Sequence, residues 1–243
     1  MIDDDTKEKE IGSIGSKYII YKKIGKGGTS KVYKVKPEEK KEEKYYAAKV
    51  YKNLRPKKNK INDFETEKEI LFNPNNNGIK SPYILNLIDS GRDKIKRINK
   101  ETSTNDYNYI IVDYMKNGCL YDYIYYPETG LDEDICKVLF YKIFNAIKKC
   151  HDSNICIRDI KLENILLDDN YNPILCDFGL GKISENKITG KNGTPNYMAP
   201  EVFLNKEPYN GFKVDIFNLA IALYILITGK TYFRALIIDD TIK

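Results

Sequence analysis

Apolar and polar positions along this chain alternate with two periods, and the switch between them outlines its elements. Tyr18–Ile24 alternates as a strand should, a second strand begins around Val32, and Ala47–Val50 lies on a third. Residues 61–72 follow a helical period, with Ile61, Phe64 and Leu71 on one face, and Asn73-Pro74 stops the run. Ile84–Ile88 and Tyr109–Val112 predict two more strands, separated by a polar, charged insertion from about Arg92 to Asp106. The strongest helical signal runs from Leu131 to Asp152, where Ile135, Val138, Leu139, Ile143, Ala146, Ile147 and Cys150 keep the 3.6-residue period. Acidic Asp132–Asp134 at its start and Lys148-Lys149 at its end both favour the helix dipole. Ile165–Leu167 and Pro173–Cys176 form a strand pair around Asp168–Asn172, a segment with hairpin-loop chemistry. A last helix passes through Ile216–Ile227, apolar nearly all round, as a helix buried on every side should be. Residues 1–16 are polar and are expected to be a disordered leader.

Composition adds limits to this outline. With 243 residues, 42% hydrophobic and 31% charged, the chain suffices for one large domain or two lobes. Its net charge of +5 comes from interspersed charges, which does not indicate a nucleic-acid-binding surface. Five cysteines without a C-x-x-C pair predict thiols in a reducing, intracellular setting, expected to be cytoplasmic, and the single histidine excludes a multi-histidine zinc site. The acidic start is unlike a signal peptide, and Ile216–Ile227 is shorter than the roughly 20 residues that span a bilayer, so no membrane insertion is expected.

Candidate chemistry concentrates in Ile157–Leu167, which sets two acids, two cations and one amide between apolar residues. A carboxylate at Asp159 can orient a hydroxyl and take its proton, Lys161 can neutralise a transferring anion, and Asn164 can hold a divalent cation through oxygen. The hairpin that follows would bring Asn164 and Asp177, at its open ends, near each other. Two such oxygen ligands, completed by phosphate oxygens and water, suit Mg²⁺. Upstream, Gly25-Lys26-Gly27-Gly28 lets the backbone fold closely over an anion. Glu67 shares the apolar face of its helix and needs a cationic partner, for which Lys49 is the natural candidate; Glu65 and Glu69 are the alternatives to Glu67.

Together, R-D-x-K-x-x-N at residues 158–164, D-F-G at 177–179, the glycine loop running into Val32, A-x-K at 47–49 and A-P-E at 199–201 resemble the eukaryotic protein kinase family. The resemblance covers Tyr18 to about Phe233 with every motif in order. It implies an α+β, two-lobed protein-kinase-like fold: a first lobe of antiparallel strands plus one helix (about 17–112), a hinge (about 113–118) and a mostly helical second lobe (about 119–243) lacking its last helices. It implies ATP and Mg²⁺ as cofactors and a protein substrate with a serine or threonine hydroxyl, because G-T-P-x-Y together with Lys161 is the serine/threonine pattern. The roles carried over are Asp159, Lys161, Lys49 and Glu67 for catalysis, and Asn164 and Asp177 for the metal. Gly25 and Gly27 would approach the phosphates, Ile24, Val32, Ala47 and Leu166 would sandwich adenine, and the backbone of Asp113 to Met115 would face its edge. Thr194 would bond toward Asp159 and Lys161, and a buried Asp215 would accept from backbone N–H groups of the catalytic loop. Arg158 suggests a cationic site for a phosphate on Thr189 or Ser184. His151 matches a helix-end histidine expected to be structural.

Three departures stand out: Ile157 where the family usually has histidine, Ser30 in place of the third loop glycine, and a chain that stops at Lys243. The alternatives to an active enzyme are therefore a catalytically silent, kinase-like ATP-binding or interaction module and a truncated fragment. An uncovered apolar face on the last helix is expected to promote self-association or recruit a partner.

Overall fold

The computed structural model describes residues 9–39, 44–52, 63–72, 79–97, 105–125, 129–183, 187–204 and 208–230. The chain divides into two compact units, one made of residues 1–64 and 86–114, the other of 65–85 and 115–243.

In the first unit, six antiparallel strands close into a barrel: β1 (Gly12–Ile14), β2 (Tyr18–Lys26), β3 (Ser30–Pro37), β4 (Tyr46–Tyr51), then across a helix α1 (Asp63–Leu71) to β5 (Leu87–Arg97) and β6 (Asp106–Asp113). The spatial order is β1-β2-β3-β4-β6-β5, and β1 pairs with both β2 and β5. Alternate residues fill the interior, among them Ile14, Ile20, Tyr33, Val35, Ala48, Val50, Tyr109 and Ile111. Two expectations need correction here. Residues 12–14 are not leader but the strand that closes the barrel, because pairing on both sides satisfies the exposed edges of β2 and β5. Gly12 permits it: a Cβ there would lie 2.2 Å from the Lys96 carbonyl oxygen. The polar run from Arg92 is likewise not an insertion, since Arg92–Arg97 continue β5 as a strand with one solvated face.

The second unit begins inside α1 and differs from the expected lobe boundary accordingly. Ile84, predicted to start a strand beside Ile88, instead bridges Leu175, and the Leu85 N–H donates to the Leu175 carbonyl at 2.9 Å. The unit continues through α2 (Asp122–Tyr125), α3 (Glu133–Asp152), β7 (Ile155–Cys156), the hairpin β8 (Ile165–Leu167) and β9 (Pro173–Leu175), β10 (Lys182–Ile183), α4 (Pro200–Phe203) and α5 (Gly211–Thr228). Asp132 caps α3, its side chain accepting from the N–H groups of Asp134 and Ile135. The buried face of α3 is Cys136, Leu139, Ile143, Ala146, Ile147 and Cys150, so Ile135 and Val138, assigned to the core by periodicity, are exposed.

Helix α5 extends further than expected, over 18 residues, and is long and apolar enough by length and composition to cross a membrane. Its polar residues make it a core helix of this unit instead. Asp215 is fully buried and bonded to the loop after β7, and the buried Asn218 amide donates to the Tyr197 carbonyl. Its outer side chains nonetheless include Ile216 and Ile227, 47% and 42% exposed, and α3 exposes Ile135, Val138, Tyr141 and Phe144. The 243-residue chain is therefore expected to self-associate or bind hydrophobic dye. Sedimentation of a strictly monomeric species that binds no such dye would contradict this.

Candidate active site

The site in the second unit is built on a backbone that must be held in place. After β7 the chain passes Ile157 and Arg158, and Arg158 adopts φ +68, a left-handed conformation that costs a non-glycine residue on the order of 1 kcal/mol or more. Asp215 from α5 fixes it: one carboxylate oxygen accepts from the Arg158 N–H at 2.7 Å, the other from the Ile157 N–H at 2.8 Å. His151, at the end of α3, places its Nε2 at 2.9 Å from the same carboxylate, which gives the expected structural histidine a partner. Burial pushes the neighbouring Cys150 thiol up to about 12, with the Asp215 charge adding to the effect. The side chain of Ile157 is completely buried, as an apolar replacement for an imidazole should be.

Asp159 follows, 9% exposed, and three side chains converge on its carboxylate. Thr194 Oγ1 donates to Oδ1 at 2.7 Å; Lys161 Nζ donates to Oδ2 at 2.7 Å and to Thr194 Oγ1 at 2.7 Å. Asn164, in the 3-10 turn Leu162–Asn164, donates from Nδ2 to the Asp159 carbonyl at 2.9 Å and to Oδ2 at 3.2 Å. Both partners are acceptors, so the amide orientation is dictated and Oδ1 is the end left for a cation. Gly193, at φ +126, lets the Thr194 segment approach, since a Cβ there would lie 3.1 Å from the Arg158 carbonyl oxygen.

The hairpin β8–β9 does what its loop chemistry predicts, with the Asp168 N–H bonded to the Asn172 carbonyl. At its open end the Cys176 N–H donates to the Asn164 carbonyl at 2.9 Å, which sets Asp177, the next residue, beside Asn164. Asp177 has φ +63, and its Oδ1 accepts from the Gly179 N–H at 3.3 Å. Among the described residues no group of three or more His, Cys, Asp or Glu is placed to hold a metal by itself. One amide oxygen and one carboxylate fit Mg²⁺, which keeps water and phosphate oxygens in its octahedron, rather than a closed all-protein site.

Of the three candidate glutamates on α1, burial selects one: Glu67 is 1% exposed, whereas Glu65 and Glu69 are exposed. Glu67, Met115 and Leu166 lie in the second unit; Lys49, Gly25, Gly27, Ile24, Val32, Ala47 and Asp113 lie in the first. There, Lys49 on β4 sits opposite Val32 on β3 and Ile110 on β6, and Ala47 sits opposite Val112. Ser30 is buried at the first position of β3, so the residue replacing a glycine serves as a strand residue rather than part of the loop tip.

Two residues of this network, Tyr197 and Glu163, have no role that the sequence alone suggests. The Tyr197 hydroxyl donates to Glu163 Oε2 at 3.0 Å and accepts from the Leu162 N–H at 3.4 Å, tying the Thr194 segment to the Asp159 loop a second time. Burial and the Glu163 charge raise the Tyr197 phenol well above its usual range, keeping it protonated as a donor. Arg158 is 3% exposed, and within the described residues its Nε and Nη2 are buried without a hydrogen-bond partner. Thr189 is exposed, and Ser184 lies outside the described residues.

Comparison with known proteins agrees with this geometry. The model of the protein kinase domain matches residues 18–242. The chain is 35% identical over 182 residues to the serine/threonine-protein kinase CHK1 of Saccharomyces cerevisiae, covering 72% of this chain and 32% of that protein. It is 39% identical over 133 residues to the serine/threonine-protein kinase SIK1 of Rattus norvegicus, covering 54% and 17%. It is also 34% identical over 161 residues to CBL-interacting protein kinase 11 of Oryza sativa subsp. japonica, covering 64% and 30%. The chain thus spans about a third or less of the length of these relatives. With the family model matching from β2 to the end of α5 and beyond, the chain belongs to the protein kinase family.

Proposed function

We propose that this chain transfers the γ-phosphoryl group of ATP to a serine or threonine hydroxyl of a protein substrate. The observation that carries this reading is the Asp159 carboxylate, held by Thr194, Lys161 and Asn164 with its acceptor atoms in fixed directions. Asp159 orients the incoming hydroxyl and accepts its proton, while Lys161, already beside that carboxylate, offsets charge on the group in transit. Asn164 and Asp177 are the residues that would hold Mg²⁺, which when bound neutralises phosphate charge. By the family resemblance, Lys49 and Glu67 are the residues that would position the α- and β-phosphates, Gly25 and Gly27 would bring loop N–H groups to phosphate, and Ile24, Val32, Ala47 and Leu166 would contact the base. The Asp113–Met115 backbone meets the edge of adenine. The serine/threonine preference rests on Lys161 and Thr194 and on the similarity to relatives named as serine/threonine kinases. All five cysteines are free thiols, which supports an intracellular, cytoplasmic setting.

A second reading, a nucleotide-binding module without transfer, is favoured by the buried isoleucine at position 157. One experiment separates the two: Mg-ATP binding and phosphate transfer to a generic peptide, measured on the same preparation. Binding with turnover supports the enzyme, binding without turnover selects the module, and neither overturns both. Because Asp215 bonds the backbone rather than the side chain of residue 157, Ile157→His is expected to alter turnover by no more than about tenfold, ~1.4 kcal/mol. A gain of several orders of magnitude would show that the isoleucine disables the site.

Regulation by phosphate on the exposed Thr189 or on Ser184 is supported by Nε and Nη2 of Arg158, buried without a hydrogen-bond partner among the described residues. Thr189 stands one residue before the usual position, occupied here by Gly190. Mass spectrometry finding neither residue modified in active protein, with no loss on phosphatase treatment, would eliminate this device.

A further inference from the structure

Lys52, just past the end of β4, reaches back to the glycine-rich turn between β2 and β3. Its ammonium donates to the Gly28 carbonyl at 2.5 Å and to the Gly27 carbonyl at 3.1 Å, and its backbone N–H donates to the Thr29 carbonyl at 2.7 Å. Within the turn, the Gly27 N–H also donates to the Ser30 carbonyl at 3.0 Å. Glycine backbone of this kind samples many conformations, so whatever fixes its peptide planes decides what the turn can bind.

In a trans peptide unit the C=O and the following N–H point in opposite directions. A cation that draws the carbonyls of Gly27 and Gly28 to itself therefore turns the N–H groups of Gly28 and Thr29 away from it. Successive N–H groups facing one way form a concavity that takes an anion. A Cβ on Gly28 would meet nothing within 4 Å, so there is open space around the turn at Gly28.

We propose that Lys52 is a positioning residue of the phosphate-binding turn, setting the peptide planes of Gly27–Thr29 so that the N–H groups of Gly28 and Thr29 are presented to nucleotide phosphate. The proposal rests on the reading of this turn as a nucleotide site, and it gives Lys52 a role distinct from that of Lys49: it acts through the backbone and does not itself touch the phosphates. Arginine can replace it as a donor to carbonyls; methionine fills the space without donating.

The test compares the full chain with Lys52→Met and Lys52→Arg. Amide exchange of Gly27 and Lys52 is followed without nucleotide, the Mg-ADP dissociation constant by calorimetry, and the KM for ATP against kcat. In Lys52→Met, faster exchange at both amides is expected, with Mg-ADP binding weakened about tenfold, as for a lost charge-assisted hydrogen bond, and KM raised more than kcat falls. Lys52→Arg is expected to restore all three. Unchanged exchange in Lys52→Met overturns the proposal, and so does faster exchange with undiminished Mg-ADP affinity, because Lys52 would then brace the turn without presenting its N–H groups. A parent protein that binds no Mg-ADP refutes the nucleotide reading itself, whereas equal binding by all three proteins refutes only the role of Lys52.

Discussion

Asp159→Asn is expected to lower phosphate transfer by about 10²–10³-fold while leaving folding and Mg-ATP binding close to those of the parent. The hydrogen-bond network explains why such a specific loss should result. Oδ2 of Asp159 faces two donors that cannot accept, the Lys161 ammonium and the Asn164 amide nitrogen, whereas Oδ1 faces the Thr194 hydroxyl, which can turn to accept. An asparagine at 159 must therefore keep its oxygen toward Lys161 and its NH₂ toward Thr194. The side chain stays where the aspartate was, but it no longer takes a proton from the incoming hydroxyl. Initial rates with a serine-containing peptide, together with the melting temperature and the Mg-ATP dissociation constant, check this. Transfer at the parent rate would remove Asp159 from its assigned role.

Asp215→Ala is expected to be the most destabilising single change in the second unit, by roughly 2–6 kcal/mol, a large share of the 5–15 kcal/mol that holds a typical domain together. The carboxylate is fully buried and receives the N–H groups of Ile157 and Arg158 and Nε2 of His151. Its loss leaves two buried backbone donors unsatisfied, each costing about 1–3 kcal/mol, and releases Arg158 from its left-handed backbone conformation. Asp215→Asn retains one acceptor and should lose less, which keeps the prediction testable if the alanine variant does not fold. Denaturant midpoints give the comparison, and an alanine variant that unfolds at the parent's midpoint would refute the anchor role.

The legibility of the catalytic segment and the opacity of its support have the same origin. Asp159, Lys161, Asn164 and Asp177 lie within a single loop-hairpin unit whose geometry is set locally: the Asp168–Asn172 turn closes the hairpin, and closing it brings residues 164 and 177 together. Their spacing could be read directly from the chain. The support comes from far away in sequence. Thr194 bonds Asp159 from 35 residues on, and Asp215 holds Ile157 from 58 residues on, so without the family pattern nothing near residue 159 would have pointed to either.

Taken alone, the sequence determined the strand and helix periods, the hairpin, the order of the motifs and hence the kinase family, because alternation, helical repeat and turn chemistry are properties of neighbouring residues. Only the tertiary structure decided which glutamate of α1 is buried, that Ile135 and Val138 face outward, and that residues 12–14 close a barrel. A repeat of 3.6 residues identifies an apolar stripe but not how much of it a neighbouring element covers. A strand edge is satisfied by a partner that can come from anywhere in the chain. The same holds for Lys52, an unremarkable lysine in sequence whose bonds to Gly27 and Gly28 exist only because β4 returns its end to the turn between β2 and β3.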